Sequence, residues 1–552
     1  MRDDNDRLRN GDLPENPFEG TIKVQSEAKS DKESGHSAEA AGAPEGEPTC
    51  SARTRLLSLV ESAGVEVFVT QEGEAWATRA GLTYRIHSKD FRAWLASEWF
   101  VQATSICPKQ VVEDVLEFLE SRARTANSTR PVFVRVGRST DGVLWLDLGQ
   151  LGSARAIRLS PEGWSVTESP GVHLSRERGS DALPAPRRGR GLESMRPLLN
   201  LSEERDWVLG VTWLMGATRP DIPLPILNLQ GEHGSAKSTT ARLLRTLIDP
   251  ATPELRAMPR DEENLMVAGR GRWVLAFDNL SGLSHAMSDA LCRLSSGGGV
   301  GKRKLFTDGD EALLSARRPV ILNGIDDLLS RNDFASRAIV LNLPSISEEK
   351  RRTEAEVFGE FEQMHPELLG ALCDCVCEAL RSERATRARL GTLPRLADLM
   401  VWASAAEGAL GWTPGTVQRA MADLAEEVAA EALERDDVAV SMVKLMTRRQ
   451  EWSGTMTELK AALEQAQGER ISPSWPRGAR ALSNALKRAA PVVRRHGIVW
   501  TQRKSGSTRL IQVLSVPTVP TVTRPKNIAP SERDDWDGRD EPLSVAAAGV
   551  GS

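Results

Sequence analysis

The spacing of apolar and polar positions divides the chain into stretches of different character. Residues 1–50 hold few large apolar side chains among many Asp, Glu, Gly, Pro and Ser, and read as an acidic disordered tail. Over 51–169, helical spacing at Leu56, Leu57 and Val60 gives way to strand-like runs at 65–70, 75–78 and 82–86. Two amphipathic helices follow at 88–104 and 108–124, with Trp94, Leu95, Trp99, Val115, Phe118 and Leu119 as expected core, and strands return at 132–136, 143–148, 156–159 and 164–166. This alternation predicts a compact α+β domain, expected to serve recognition or assembly. The stretch 170–195, with Pro184-Ala185-Pro186-Arg187-Arg188-Gly189-Arg190, predicts a linker.

A different pattern occupies 196–345. Ile226, Leu227 and Leu229 form a buried-strand run that passes into Gly231-Glu232-His233-Gly234-Ser235-Ala236-Lys237-Ser238-Thr239, and an amphipathic helix then runs through 239–248. Strand, glycine loop and helix start in this order predict a phosphate-binding loop. Gly231 and Gly234 let backbone N–H groups turn inward, and the helix presents its positive end to the phosphates. Lys237 is placed to reach the β- and γ-phosphates and Ser238 to hold Mg²⁺, with ATP as the expected cofactor. The usual spelling has a second Gly where this chain has Ala236, so a right-handed backbone is expected there.

Downstream, Asp261-Glu262-Glu263-Asn264 opens a short helix. The run Arg272-Trp273-Val274-Leu275-Ala276-Phe277-Asp278-Asn279 then reads as a buried strand ending in an acid, the Walker B pattern that sets Asp278 beside the metal. A third strand, 318–324, ends in Asn323, whose amide suits the attacking water or the γ-phosphate. Arg331 and Arg337 follow, and either could serve as an arginine finger on a neighbouring subunit's nucleotide, although Asp333 offers Arg331 an equally good salt-bridge role. The segment 295–306 mimics a phosphate loop, but Ser296 stands at its required first Gly and a helix precedes it, so it is rejected as one.

From 346 to 436 the spacing is helical, with Phe358, Phe361, Leu368, Leu369, Leu372, Leu380, Leu396, Leu399, Met400 and Trp402 as core of a helical subdomain. Over 437–514 the order helix, short strand, helix, helix from Pro476, strand, strand predicts a winged helix–turn–helix with Gly506 at the wing tip. One face of the third helix carries Arg477, Arg480, Asn484, Lys487 and Arg488; the other carries Leu482, Ala485, Leu486 and Ala489. No acid occurs from Ser472 through Pro530, while Arg494, Arg495, Arg503, Lys504 and Arg509 add positive charge. That points to nucleic-acid backbone. Residues 515–552 read as a second disordered tail.

Composition adds little beyond this. The net charge of −5 hides the local basic surface, and 552 residues leave room for several domains. Six cysteines without disulfide-framework spacing, and no signal peptide or long apolar run, point to a reduced cytoplasmic protein. Cys373, Cys375 and Cys377 are expected as buried structural residues, and Asp147, alone on its strand, as a solvent-facing acid.

Phosphate loop, Walker B strand, basic Gly-rich insertion, Asn-tipped strand and downstream arginine, all within about 110 residues, resemble the superfamily III helicase branch of AAA+ ATPases. Phage, plasmid and integrated-element replication proteins, including primase–helicases, use that module. The resemblance covers roughly 196–345. It implies that Lys302, Arg303 and Lys304 form a basic hairpin gripping nucleic acid in a central channel, that Asp278 and Asn323 serve catalysis, and that Arg337 is the better finger candidate. Family members carry two acids in Walker B, whereas Asn279 stands at the second, which puts hydrolysis in question. The overall expectation is a multidomain α/β DNA translocase or helicase of mobile-element replication. It would act on single-stranded and duplex DNA as a homo-oligomeric ring, a hexamer by analogy, away from membranes. Its rivals are an ATP-switched DNA-binding assembly protein without helicase activity and a primase–helicase with its synthetic site before Ser169.

Overall fold

The computed structural model describes residues 51–126, 128–303, 311–324, 332–391, 393–447, 449–468, 475–505 and 508–516. The two predicted tails at 1–50 and beyond 516 lie outside these residues, as do Lys304, Arg331, Gly506 and Ser507.

The first layer is a sheet in the order Glu66–Val69, Ala75–Arg79, Leu82–Arg85, His173–Ser175, Val132–Val134. Helices Ala52–Ser62, Lys89–Ala103 and Lys109–Thr125 pack on it around Leu56, Phe91, Leu95, Leu116 and Leu119. Ser88 starts the second helix by accepting from Phe91 N (3.2 Å). Phe118, expected in the core, is exposed, because the buried stripe of its helix runs through Val112, Val115, Leu116, Leu119 and Ala123, and position 118 falls off it.

The strands Val136–Arg138, Leu144–Asp147, Ala156–Ser160 and Gly163–Thr167 form an antiparallel meander. Its Val136, Leu144, Leu146, Ile157 and Leu159 do not join the N-terminal core. They belong to the largest core among the described residues, beneath the long helix Glu354–Leu390, where Leu372, Cys373 and Val376 meet them. Trp164 Nε1 fastens the two by donating to Asp374 Oδ1 (2.8 Å). The stretch 170–195, expected as a linker, is also folded in: it carries the strand His173–Ser175 and enters the helical turn Leu192–Leu198, with Leu183, Leu192 and Met195 buried. Arg187 N donates to Pro366 O (2.8 Å), and a Cβ on Gly370 would lie 2.0 Å from Arg187 O, so the helix can be approached this closely only at a glycine.

The centre is an all-parallel sheet in the order Leu275–Leu280, Val320–Gly324, Ile226–Gln230, Ala338–Asn342. Its strands are almost wholly buried, as continuous apolar runs require when both faces are covered. Helices Lys237–Ile248 and Glu204–Gly216 pack against it, the latter buried from Asp206 through Gly216. Gly299–Arg303 and Glu311–Ser315 pair as a separate antiparallel two-stranded sheet at the basic insertion.

A buried ion pair ties these layers together. Arg135 and Asp249 side chains are each 2 % exposed, with Nε donating to Oδ1 at 2.8 Å. Arg135 also donates to the carbonyls of Asp147 (3.1 Å), Asp181 (2.8 Å) and Pro250 (3.2 Å), while Asp249 Oδ2 accepts from the N–H groups of Trp273 (3.1 Å) and Val274 (2.9 Å). The meander, the stretch after it, the end of the loop helix and the start of the Asp278 strand therefore meet at one fully bonded point.

Helix Glu354–Leu390 begins with a capping box between Thr353 and Glu356, and helices Ala397–Ala405 and Thr416–Glu434 follow. The last one joins two cores: Val417, Ala420, Met421 and Leu424 lie in the large core, and Ala432 lies in a separate C-terminal one. That second core, around Met442, Leu459, Leu463, Leu482, Leu486, Val493, Ile511 and Val513, is enclosed by helices Asp437–Met446, Met456–Gln467 and Ala479–Arg495 and by a sheet in the order Glu451–Gly454, Thr508–Ser515, Ile498–Ser505. Among the described residues, no helix is long and apolar enough to cross a membrane.

Candidate nucleotide site and basic surface

The polar groups gather at the carboxyl ends of the central parallel strands, where ligands bind in open α/β sheets. The chain leaves Gln230 through Gly231 (φ 153°), where a Cβ would sit 2.4 Å from Leu343 O, and turns again at Gly234 (φ 77°). Ala236 then enters helix Lys237–Ile248 with φ 60° and ψ 28°. This corrects the expected right-handed backbone. The chain must reverse into the helix within one residue, and the left-handed turn is accepted at a cost of roughly 1–2 kcal/mol for a residue with a Cβ.

The loop is bonded from within. Ser235 Oγ donates to Glu232 O (2.8 Å), and Lys237 Nζ donates to the carbonyls of Gly231 and Glu232 (2.7 Å each). Burial pushes the Lys237 pKa down, and the nearby Asp278 carboxylate opposes that shift. Glu232, His233 and Gly234 are exposed at the loop's rim, with Thr239 half-buried just inside the helix.

Ser238, Asp278 and Asn323 converge. Ser238 Oγ donates to Asp278 Oδ1 (3.1 Å), and Asn323 Nδ2 reaches both Asp278 Oδ1 (2.5 Å) and Ser238 Oγ (3.0 Å). The register explains why: Leu229 lies beside Asn323, and an irregularity between Phe277 and Leu280 lifts Asp278 at the strand's end. Asn279 N donates to Asp278 Oδ1 (2.8 Å). Asn279 itself is exposed with φ 58°, a conformation that Asn adopts more readily than Glu. A hydroxyl, a carboxylate and a lysine at a helix N-terminus form a donor set that fits a magnesium–nucleotide group.

Arg337 does not join this cluster within the chain. Its carbonyl accepts from Ile226 N (3.0 Å) at the start of the loop strand, so it sits at the opposite end of the sheet, roughly 13 Å from the loop at 3.3 Å per residue. The pattern of the chain gives no sign of Asn200, whose Nδ2 donates to Ser235 O (3.0 Å) and Pro344 O (2.6 Å) and braces the loop from outside.

The basic residues of the C-terminal helix share one exposed face. Arg477, Arg480, Asn484, Lys487 and Arg488 are exposed, opposite the buried Leu482, Ala485, Leu486 and Ala489. Arg503 and Lys504 are exposed on the strand Ile498–Ser505. The helix begins at Ala479 rather than Pro476, because Trp475 and Pro476 are buried and Trp475 Nε1 is held by Glu464 Oε1 (3.0 Å). Lys302 and Arg303 lie on the strand Gly299–Arg303 of the hairpin.

Of two other expectations, the one for Asp147 fails and the one for the cysteines holds. Asp147 is not a solvent-facing acid. It is 2 % exposed and held by Arg176, whose Nε reaches Oδ2 at 2.7 Å and whose Nη2 reaches Oδ1 at 2.5 Å. Cys373, Cys375 and Cys377 are all buried, and burial pushes the Cys375 thiol up to about 12 and the Cys377 thiol to about 11, so they stay as inert thiols.

A central parallel sheet with its polar cluster at the strand ends belongs to a multidomain α/β protein, two segments of which match sequence families of replication proteins. Residues 192–428 match the model of the actinomycete integrative conjugative element replication protein, and residues 438–525 match the C-terminal domain of the same RepA proteins. These segments belong to the replication proteins of actinomycete integrative conjugative elements. The helix Thr416–Glu434 ends close to the boundary between the two matches. Among solved structures, the chain is similar to the A form apo structure of the NrS-1 C-terminal region, at 11% identity and a TM-score of 0.38 over 84% of this chain and 99% of that one. A second apo structure of that region is similar at 12% identity and a TM-score of 0.36, over 85% of this chain and 100% of that one. Likeness at this distance carries no argument. No curated protein matches the chain.

Proposed function

We propose that the chain is an ATP-dependent DNA motor of mobile-element replication, which binds ATP with Mg²⁺ at residues 231–239 and separates or moves along DNA as it hydrolyses the nucleotide. The observation that carries this reading is the convergence of Ser238, Asp278 and Asn323 within 3.1 Å of one another beside the Lys237 loop. Bound with ATP, Mg²⁺ would neutralise the charge that develops on the transferring phosphate. With a nucleotide bound, Lys237 would exchange its two backbone carbonyls for phosphate oxygens, Asp278 and Ser238 would hold the metal, and Asn323 would orient the attacking water. The position of Arg337, at the far end of the sheet from its own loop, suits a role at a neighbouring subunit's nucleotide in a ring. The hairpin with Lys302 and Arg303 and the exposed Arg477, Arg480, Asn484, Lys487, Arg488, Arg503 and Lys504 supply contacts to DNA phosphates. The C-terminal order of three helices and a three-stranded sheet supports a winged helix as the tether.

A second reading rests on Asn279. An amide cannot take the water's proton, so ATP could act as an assembly switch without rapid turnover. A primase site before Ser169 loses its one candidate acid, since Asp147 is committed to Arg176. Phosphate release by the full chain, measured with and without single-stranded DNA, separates the first two. The motor reading expects turnover that DNA stimulates and that Lys237→Ala reduces at least a hundredfold. ATP binding with no turnover in either condition would overturn it in favour of the switch.

A further inference from the structure

The segment that leaves the edge strand Ala338–Asn342 folds back over the phosphate loop. Leu343 N donates to Gln230 O (2.8 Å), and Asn200 spans from Ser235 O to Pro344 O. After the helical turn Glu348–Lys350 comes Arg351, whose own N–H closes the turn on Glu348 O (3.3 Å). Its Nη2 lies 3.6 Å from the point where a Cβ on Gly234, at the outer turn of the loop, would stand. The arginines around it are occupied: Arg352 bonds Glu360 (2.6 Å), and Arg242 bonds Glu254 and Glu354 (2.9 Å to the latter). The Arg351 guanidinium is exposed and has no hydrogen-bond or ion-pair partner among the described residues. A surface arginine with no role would be free to swing into solvent. This one is carried to the lip of the loop by a segment anchored at two backbone points, Leu343 N on Gln230 O and Pro344 O on Asn200.

We propose that Arg351 binds the terminal phosphate of a nucleoside triphosphate held by its own chain, and so sets the preference for triphosphate over diphosphate. The assignment rests on the loop binding a nucleotide. A planar guanidinium offers paired donors to phosphate oxygens, and removing a hydrogen bond to a charged group costs about 1.5–3 kcal/mol. Only the ligand that carries the γ-phosphate meets those donors.

Isothermal titration of the full chain with ATP and with ADP, both with Mg²⁺, tests it. Arg351→Ala should weaken ATP about 10- to 150-fold and change ADP less than about twofold, with Arg351→Lys intermediate. Because the side chain is exposed, the variants should melt with the wild type, which separates loss of a contact from loss of fold. An unchanged ratio of ATP to ADP affinity in Arg351→Ala, with wild-type binding intact, overturns this assignment alone. Failure of the wild type to bind either nucleotide overturns the loop's role as well.

Discussion

The loop at 231–239 and the basic surface at 477–504 solve opposite problems. In the first, Lys237 is fixed by the loop's own carbonyls and Ser238, Asp278 and Asn323 by one another at the ends of a buried parallel sheet, and two non-glycine residues, Ala236 and Asn279, accept a left-handed backbone. In the second, the charged groups point away from a small separate core, and those of Arg477, Arg480, Lys487 and Arg488 have no partner among the described residues. A site built on geometry fails when one atom is misplaced. A surface built on summed charge loses strength in proportion to what is removed.

The contrast can be broken most forcefully at Asp249. Asp249→Ala leaves the Arg135 guanidinium buried without its anion and should cost about 3–5 kcal/mol. Hydrogen exchange by segment should show lost protection in Glu204–Gly216 and Leu275–Leu280, with Asp437–Met446 and Ala479–Arg495 unchanged. Equal loss in both regions would show that the two cores do not fold as distinct units. Next in size, replacing Arg477, Arg480, Lys487 and Arg488 together with Gln should reduce the slope of log affinity for DNA against log salt by about one per lost phosphate contact. Nucleotide affinity should stay as in the wild type. A salt slope that does not move would remove this surface from DNA binding. The smallest effect is expected at Ala236, where Gly relieves the left-handed strain and should raise stability by about 1 kcal/mol. A thermal melt checks it, and a fall in stability would mean that the turn is not held as described.

The central sheet was legible because parallel strands buried on both faces leave continuous apolar runs, and because Asp278 and Asn323 each end such a run. The basic helix face was legible for a related reason: its 3.6-residue period separates Leu482, Leu486 and Ala489 cleanly from Arg480, Asn484 and Lys487. What could not be read depends on partners far along the chain. The meander around Leu146 and Ile157 packs beneath a helix that begins at Glu354, so its strands look the same whichever core they serve. Asp147 looks like a lone acid until Arg176 closes on it, and the handedness at Ala236 is decided by how little chain is available to enter the helix. Asn200 and Arg351 escaped for the same reason, since each reaches the loop only through the fold.

The helix Thr416–Glu434 carries a mechanical consequence. Nineteen residues at 1.5 Å each make a rod about 28 Å long. One end is clamped in the large core by Val417, Ala420, Met421 and Leu424, and the other is clamped in the C-terminal core by Ala432. A second strut, Arg495 Nη1 on Ala425 O (2.9 Å), braces the rod along its length. A rod gripped at both ends transmits torque where a flexible tether would dissipate it, so a rotation of the large core about the rod's axis would turn the basic face with it.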